Sequence, residues 1–144
     1  FITLGDPMFY STFLYLYREL QNDFPDVPVS IVPGISSVYA AASLSGVPLG
    51  LVDETFSVVP STAPDADIEA ALGRPGTVVL LKVYNSFERL KCLLNRLGLE
   101  QNAVYVRRIG LEGEKVIYDL NQVTPDDLNY MSLMIVRQKG TEHV

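Results

Sequence analysis

Four segments of this chain hold residue types that could bind or transform a ligand. In Leu4-Gly5-Asp6-Pro7-Met8-Phe9-Tyr10-Ser11-Thr12, a carboxylate directly follows a glycine. The glycine lets the backbone come close to a ligand, and the carboxylate can accept from an ammonium or a ribose hydroxyl. The second segment, Val32-Pro33-Gly34-Ile35-Ser36-Ser37, sets two hydroxyls at a helix start, where free N–H groups favour a carboxylate. The third, Leu80-Leu81-Lys82-Val83-Tyr84-Asn85-Ser86, ends an apolar run on a lysine, either a wall of a ligand pocket or a strand end reaching for water. The fourth is Arg107-Arg108, beside Ile109-Gly110. Paired guanidinium groups suit a bidentate grip on carboxylates, and are also common as plain surface charge. Gly, Asp, Pro and Ser are equally the residues of ordinary turns and caps. Two such turns at neighbouring strand ends say more than either alone.

The elements around these segments alternate. Residues 1–4 and 29–32 read as strands that run into the two glycine turns. Residues 11–22 read as a helix with Phe13, Leu14, Leu16, Tyr17 and Leu20 on one face, and 37–45 as a small-residue helix stopped by Gly46. Beyond Pro48 come a strand at 56–59, a short helix at 66–72 and an apolar strand at 77–83 of the kind buried on both faces. Asn85 and Glu88 read as a helix cap and its partner, ahead of an apolar face formed by Phe87, Leu90, Leu93, Leu94 and Leu97. Strands at 103–108 and 115–120, a helix start at Thr124-Pro125 and a last strand at 132–137 complete the pattern. Strands alternating with helices predict α/β layers. The two later strands with no helix between them predict a mixed parallel and antiparallel second sheet. We place a lobe boundary near 47–54, giving lobes of 1–48 and 49–144.

Composition narrows the function classes. Of 144 residues, 48% are hydrophobic and 19% charged, enough for a packed core. The net charge of −6 argues against nonspecific nucleic-acid binding, which needs a cationic field. No apolar run approaches the roughly 20 residues of a membrane span, and no secretory leader is evident. A reducing cytoplasm fits the lone Cys92, which with the single His143 cannot build the usual zinc site. Cys92 reads as inert, and His143 receives no role. No Gly-x-Ser-x-Gly, P-loop or Gly-x-Gly-x-x-Gly string is present. The chain opens on Phe1-Ile2-Thr3-Leu4, inside an apolar run, and reads as a fragment whose N-terminal portion is missing.

LGDPMFYST, VPGISS, TVVLLK and YMSLMIVR, in this order and spacing, resemble the tetrapyrrole (class III) methyltransferases. The resemblance covers essentially the whole chain, as the later part of a two-lobed α/β fold. GDPMFYST, VDETFSVVPST and MSLMIVR are most similar to the branch that methylates precorrin-2 or cobalt-factor II at C20 in cobalamin biosynthesis. Leu4 stands where the uroporphyrinogen enzymes usually carry a second glycine. The resemblance implies that S-adenosylmethionine sits in a cleft between the lobes and leaves as S-adenosylhomocysteine after an in-line methyl transfer that needs no metal. It implies cofactor contacts from Leu4, Gly5, Asp6, Phe9, Ser36 and Ser37, and from Lys82, Gly110 and Ser132 in the second lobe. Lys82 falls where relatives often carry Met. Asp6 and Tyr10 are the candidates for a base, and Arg107 and Arg108 for holding the macrocycle's acetate and propionate groups. The family's Gly-x-Gly-Pro-Gly-Asp loop does not occur here, so weak cofactor binding and little turnover are expected of this chain alone. The family is commonly homodimeric. Two other readings stay open: methylation of another corrin intermediate, and a binding or dimerisation module without chemistry.

Overall fold

The computed structural model describes residues 1–138. His143 lies outside them. The chain divides into two compact units, Phe1–Ala40 and Ala41–Val144.

The first unit is built around helix α1, Phe13–Asp23. Ser11 Oγ accepts from Phe13 N–H at 3.1 Å and so starts the helix two residues later than its apolar pattern suggests. Phe13 is buried between the rings of Phe1 (5.5 Å) and Tyr17 (5.7 Å). Leu14, Tyr17 and Leu20 are half-buried, whereas Leu16, expected on the same face, is exposed. Residues 1–4 and 29–32, expected as strands, carry no sheet pairing among the described residues. A strand is defined by a neighbour that takes its backbone hydrogen bonds, and apolar character alone does not supply one. Helix α2, Ser37–Ser45, has its expected limits and ends at Gly46, whose φ is +66°.

The second unit is a five-stranded mixed sheet. Its strands are β1 (Phe56–Pro60), β2 (Thr77–Leu81), β3 (Ala103–Arg107), β4 (Lys115–Ile117) and β5 (Ser132–Arg137), in the order β1-β2-β5-β3-β4. β1 and β2 are parallel, joined through helix α3 (Asp65–Leu72), and the other pairs are antiparallel. The predicted mixed sheet is therefore present. Helix α4, Phe87–Arg96, links β2 to β3. Its buried stripe of Phe87, Leu90, Leu93 and Leu94 packs with Ile68 and Leu72 of α3 against Val78, Leu80, Tyr105 and Met134. Val79, Val106 and Ile135, which alternate with these along their strands, are also buried, so the central strands are shielded on both faces.

Element ends differ from expectation where the backbone turns left-handed. β2 stops at Leu81 because Lys82 has φ +59°, and β3 stops at Arg107 because Arg108 has φ +50°. α4 is preceded by Ser86, while Asn85 belongs to a 3-10 turn, Val83–Asn85. β4 ends at Ile117, short of residue 120. Thr124-Pro125 opens only a single 3-10 turn, Pro125–Asp127, closed by a reciprocal cap between Thr124 and Asp127. At the far end of β5, Arg137 holds both oxygens of Glu54 (2.8 and 3.0 Å) and the Pro48 carbonyl (2.8 Å). This ties the segment before β1 to the sheet. No helix among the described residues is long and apolar enough to cross a membrane.

Candidate functional site

In the first unit the two glycine turns interlock. Gly5 has φ +76°, which directs Asp6 back toward the second turn. Asp6 Oδ1 accepts from Met8 N–H at 2.9 Å, closing its own turn. Asp6 Oδ2 accepts from Gly34 N–H at 3.0 Å, across 28 residues of sequence. A Cβ on Gly34 would overlap the Gly5 carbonyl oxygen, so the close approach requires glycine there. A Cβ on Gly5 would lie 3.8 Å from the Ser36 Cα. Gly5, Asp6, Gly34 and Ser36 thus form one cluster. Leu4, Phe9 and Tyr10 stand exposed beside it, with the Phe9 and Tyr10 rings edge to face at 5.0 Å. Tyr10 is itself left-handed, with φ +53°. Ser36 is buried and its hydroxyl has no hydrogen-bond partner among the described residues. Such an oxygen is costly unless something bonds to it. Ser37, exposed, is the first residue of α2.

Asp6 is therefore a strap. Both carboxylate oxygens serve backbone donors, one within its own turn and one in the second. Gly34 is the residue that sequence reasoning passed over. Its signal was present, a glycine two residues before the serine pair, but it reads as a turn until its partner is known.

In the second unit the remaining candidates gather along one sheet edge. Leu81 pairs with Leu133, so Lys82 follows beside Ser132, and Ser132 pairs with Arg107 on its other side. Arg108 N–H donates to the Met131 carbonyl at 2.7 Å. Ser61 Oγ donates to the Lys82 carbonyl at 2.7 Å and holds the turn. The Ser132 hydroxyl donates to the Asn129 carbonyl at 2.6 Å, and Gly110 N–H donates to Glu114 Oε2 at 2.6 Å. Tyr84 and Tyr130, not anticipated from the sequence, meet edge to face at 5.6 Å beside this edge.

The two arginines do different work. Arg107, expected to grip a ligand, is turned inward: one terminal nitrogen donates to the Asp126 carbonyl at 2.6 Å, and Nε lies 3.5 Å from the buried Asp127 carboxylate. Arg108 donates through Nε to the Glu112 carbonyl at 2.6 Å and forms no ion pair among the described residues. Asp127 also accepts from Lys115 Nζ (2.8 Å) and from the Thr124 backbone (3.0 Å) and hydroxyl (2.9 Å). Burial pushes the Asp127 carboxyl upward. The bonds from Lys115 and Thr124 outweigh that and hold it at about 2, below the ordinary 3.8. A folded value below the unfolded one means stability that is present above about 3.8 and lost as pH falls through about 2. Asp127→Asn is expected to cost about 1–2 kcal/mol at neutral pH, the partial exposure of Lys115 tempering the full shift. It should also flatten the acid-unfolding profile below pH 4, as measured by denaturant melts at a series of pH values.

Among the described residues no group of three or more His, Cys, Asp or Glu is placed to hold a metal ion, and Cys92 is exposed.

Residues 1–123 match the family described as tetrapyrrole (corrin/porphyrin) methylases, and the chain belongs to that family. It is 36% identical over 140 residues to the cobalt-precorrin-2 C(20)-methyltransferase of Salmonella typhimurium, covering 96% of this chain and 58% of that protein. Among solved structures it resembles the methyltransferase CobJ, with a TM-score of 0.70 at 20% identity over 97% of this chain and 64% of the other. It also resembles the uroporphyrin-III C-methyltransferase of Thermus thermophilus complexed with S-adenosyl homocysteine, with a TM-score of 0.65 at 25% identity over 93% and 63%. The chain spans little more than half the length of the curated relatives it matches.

Proposed function

We propose that this chain carries part of an S-adenosylmethionine-dependent methyltransferase that acts on a tetrapyrrole, methylating precorrin-2 or its cobalt form at C20 in cobalamin biosynthesis. The observation that carries the reading is the interlock of Gly5 and Asp6 with Gly34 and Ser36 in a chain 36% identical to an enzyme named for that reaction. The residues suit the cofactor: a buried Ser36 hydroxyl without a hydrogen-bond partner among the described residues, a close turn that only glycine permits, and a helix start, which favours a carboxylate. When bound, S-adenosylmethionine supplies an electrophilic methyl group on a sulfonium, and S-adenosyl homocysteine, the demethylated product, is bound in a solved relative.

The chain's own task is alignment, and orientation of reactants can contribute on the order of 7–11 kcal/mol. Asp6 fixes the first turn against the second. Ser36 and Ser37 would offer hydroxyls to the cofactor, and Leu4 and Phe9 would line it. Lys82, Gly110 and Ser132 are the candidates in the second unit, where the Gly110 N–H is already given to Glu114 and the Ser132 hydroxyl to the Asn129 carbonyl. Asp6 and Tyr10 remain the candidates for a base, and Asp6 also holds the two turns together. We assign residues 1–48 to one lobe and 49–144 to the other, in a cytoplasmic homodimer.

Incubation of the full-length protein that carries this chain with methyl-labelled S-adenosylmethionine and either precorrin-2 or cobalt-precorrin-2 tests the reading. One added methyl, located at C20 by NMR, is the expected product. Transfer to a different corrin carbon would contradict the C20 assignment, and failure with every reduced tetrapyrrole would contradict the substrate class.

A further inference from the structure

Ser61 follows β1 within the string VDETFSVVPST, and the candidate ligand contacts pass it over. It is fully buried although β1 lies at the edge of the sheet. One residue here captures two successive carbonyls at the end of β2. The Ser61 N–H donates to the Leu81 carbonyl at 2.8 Å and extends the parallel ladder by one bond. The Ser61 hydroxyl donates to the Lys82 carbonyl at 2.7 Å. By then the chain after β1 has turned away, with Ala63 N–H closing on the Pro60 carbonyl at 3.0 Å. A side-chain donor therefore takes the place that a backbone donor leaves.

The carbonyl so held belongs to a residue that needs holding. Lys82 is left-handed, with φ +59° and ψ +39°. A residue with a Cβ pays for that conformation and keeps it where the surroundings impose it. Directly beyond it, Val83 is buried and opens the turn Val83–Asn85. Releasing the Lys82 carbonyl would let its backbone relax and would shift the end of β2.

Ser61 is anchored in turn. Its own carbonyl accepts from one terminal nitrogen of Arg89, and the other terminal nitrogen of Arg89 is paired with Asp65. Asp65 opens α3, and Arg89 lies in the first turn of α4. One guanidinium thus ties both helices to the serine that holds Lys82. A second ion pair, Arg96 with Glu69, joins the same two helices without touching Ser61.

We propose that Ser61, anchored by Arg89, is a positioning residue for the methyl donor, keeping Lys82 in the left-handed turn that presents the end of β2 to the ligand. The proposal rests on the methyl-donor reading, in which Lys82 is a candidate contact. It goes beyond that reading by making affinity depend on a buried residue that acts through another.

The test is calorimetric titration of S-adenosylhomocysteine into the full-length protein that carries this chain and into its variants. Each is kept well below its melting temperature, so that folded protein alone is read. Ser61→Ala is expected to weaken binding roughly tenfold, the scale of one buried hydrogen bond. Ser61→Thr keeps the hydroxyl and should recover most of that loss. Arg89→Met, which frees the Ser61 carbonyl, should weaken binding by roughly two- to threefold. Arg96→Met removes the other link between α3 and α4 and should leave affinity unaltered. Parental affinity in Ser61→Ala, whatever its melting temperature, would overturn the proposal and leave the methyl-donor reading standing. So would a Ser61→Thr variant that melts like the parent yet binds as weakly as Ser61→Ala. An equal loss in Arg96→Met would assign the effect to helix packing at large and overturn it too. No binding by the unaltered full-length protein would sink the methyl-donor reading and this proposal together.

Discussion

Gly34→Ala is expected to weaken S-adenosylhomocysteine binding by roughly 10- to 100-fold, the sum of an overpacked contact and a lost hydrogen bond. The added methyl would overlap the Gly5 carbonyl oxygen, so the two turns must part. Parting them strips Asp6 Oδ2 of Gly34 N–H. Gly34 lacks a positive φ, so alanine is not strained by its own backbone, and the effect isolates the close approach. Asp6→Asn provides the companion result. A carboxylate accepts from Met8 and Gly34 together, whereas an amide has one accepting oxygen and turns its NH₂ toward the other N–H. Asp6→Asn should therefore fall most of the way toward Asp6→Ala. Full affinity in both Gly34→Ala and Asp6→Asn, with unchanged melting, would show that the interlock does not shape the site.

Gly76→Ala is expected to destabilise the protein by about 3–5 kcal/mol, combining backbone strain with a steric clash. Gly76 is buried just before β2 at φ +120°, and a Cβ would overlap the Thr55 carbonyl oxygen. That carbonyl accepts from Thr77 N–H at 3.2 Å, and Gly76's own carbonyl accepts from Gln138 N–H at 3.0 Å. The substitution thus disturbs the place where β1, β2 and β5 are brought into register. Gly98→Ala is the control. It also has a positive φ, +69°, but its Cβ would meet nothing within 4 Å, so only about 1 kcal/mol of conformational cost is expected. Denaturant melts of the two variants separate clash from strain, and equal losses would contradict the steric account.

These glycines show what a sequence exposes and what it conceals. Thr77–Leu81 was readable as a buried strand because both of its faces are apolar, and α2 because Gly46 follows its last residue. Phe87, Leu90, Leu93 and Leu94 were readable because helical spacing requires one buried stripe. The lengths of β2 and β3 were not, since nothing in the type of Lys82 or Arg108 announces a left-handed backbone. The strands expected at 1–4 and 29–32 failed for a related reason: pairing depends on a neighbour, and apolar residues do not name one. Within the site, Gly5, Asp6 and Ser36 were legible as turn chemistry, but the bond from Gly34 to Asp6 spans 28 residues and only folding reveals it. The division of labour between Arg107 and Arg108 was equally hidden. It is set by Asp126 and Asp127, about twenty positions further along.

The proposed function stands on the binding of a methyl donor through the interlocked turns. Isothermal titration of S-adenosylhomocysteine into the purified protein and its Ser36→Ala variant tests it most directly. Saturable one-to-one binding by the parent is expected, weakened in the variant because the proposed site uses the buried Ser36 hydroxyl, unpartnered among the described residues. A folded protein that takes up no S-adenosylhomocysteine, or a Ser36→Ala variant that binds it as tightly as the parent, would contradict it.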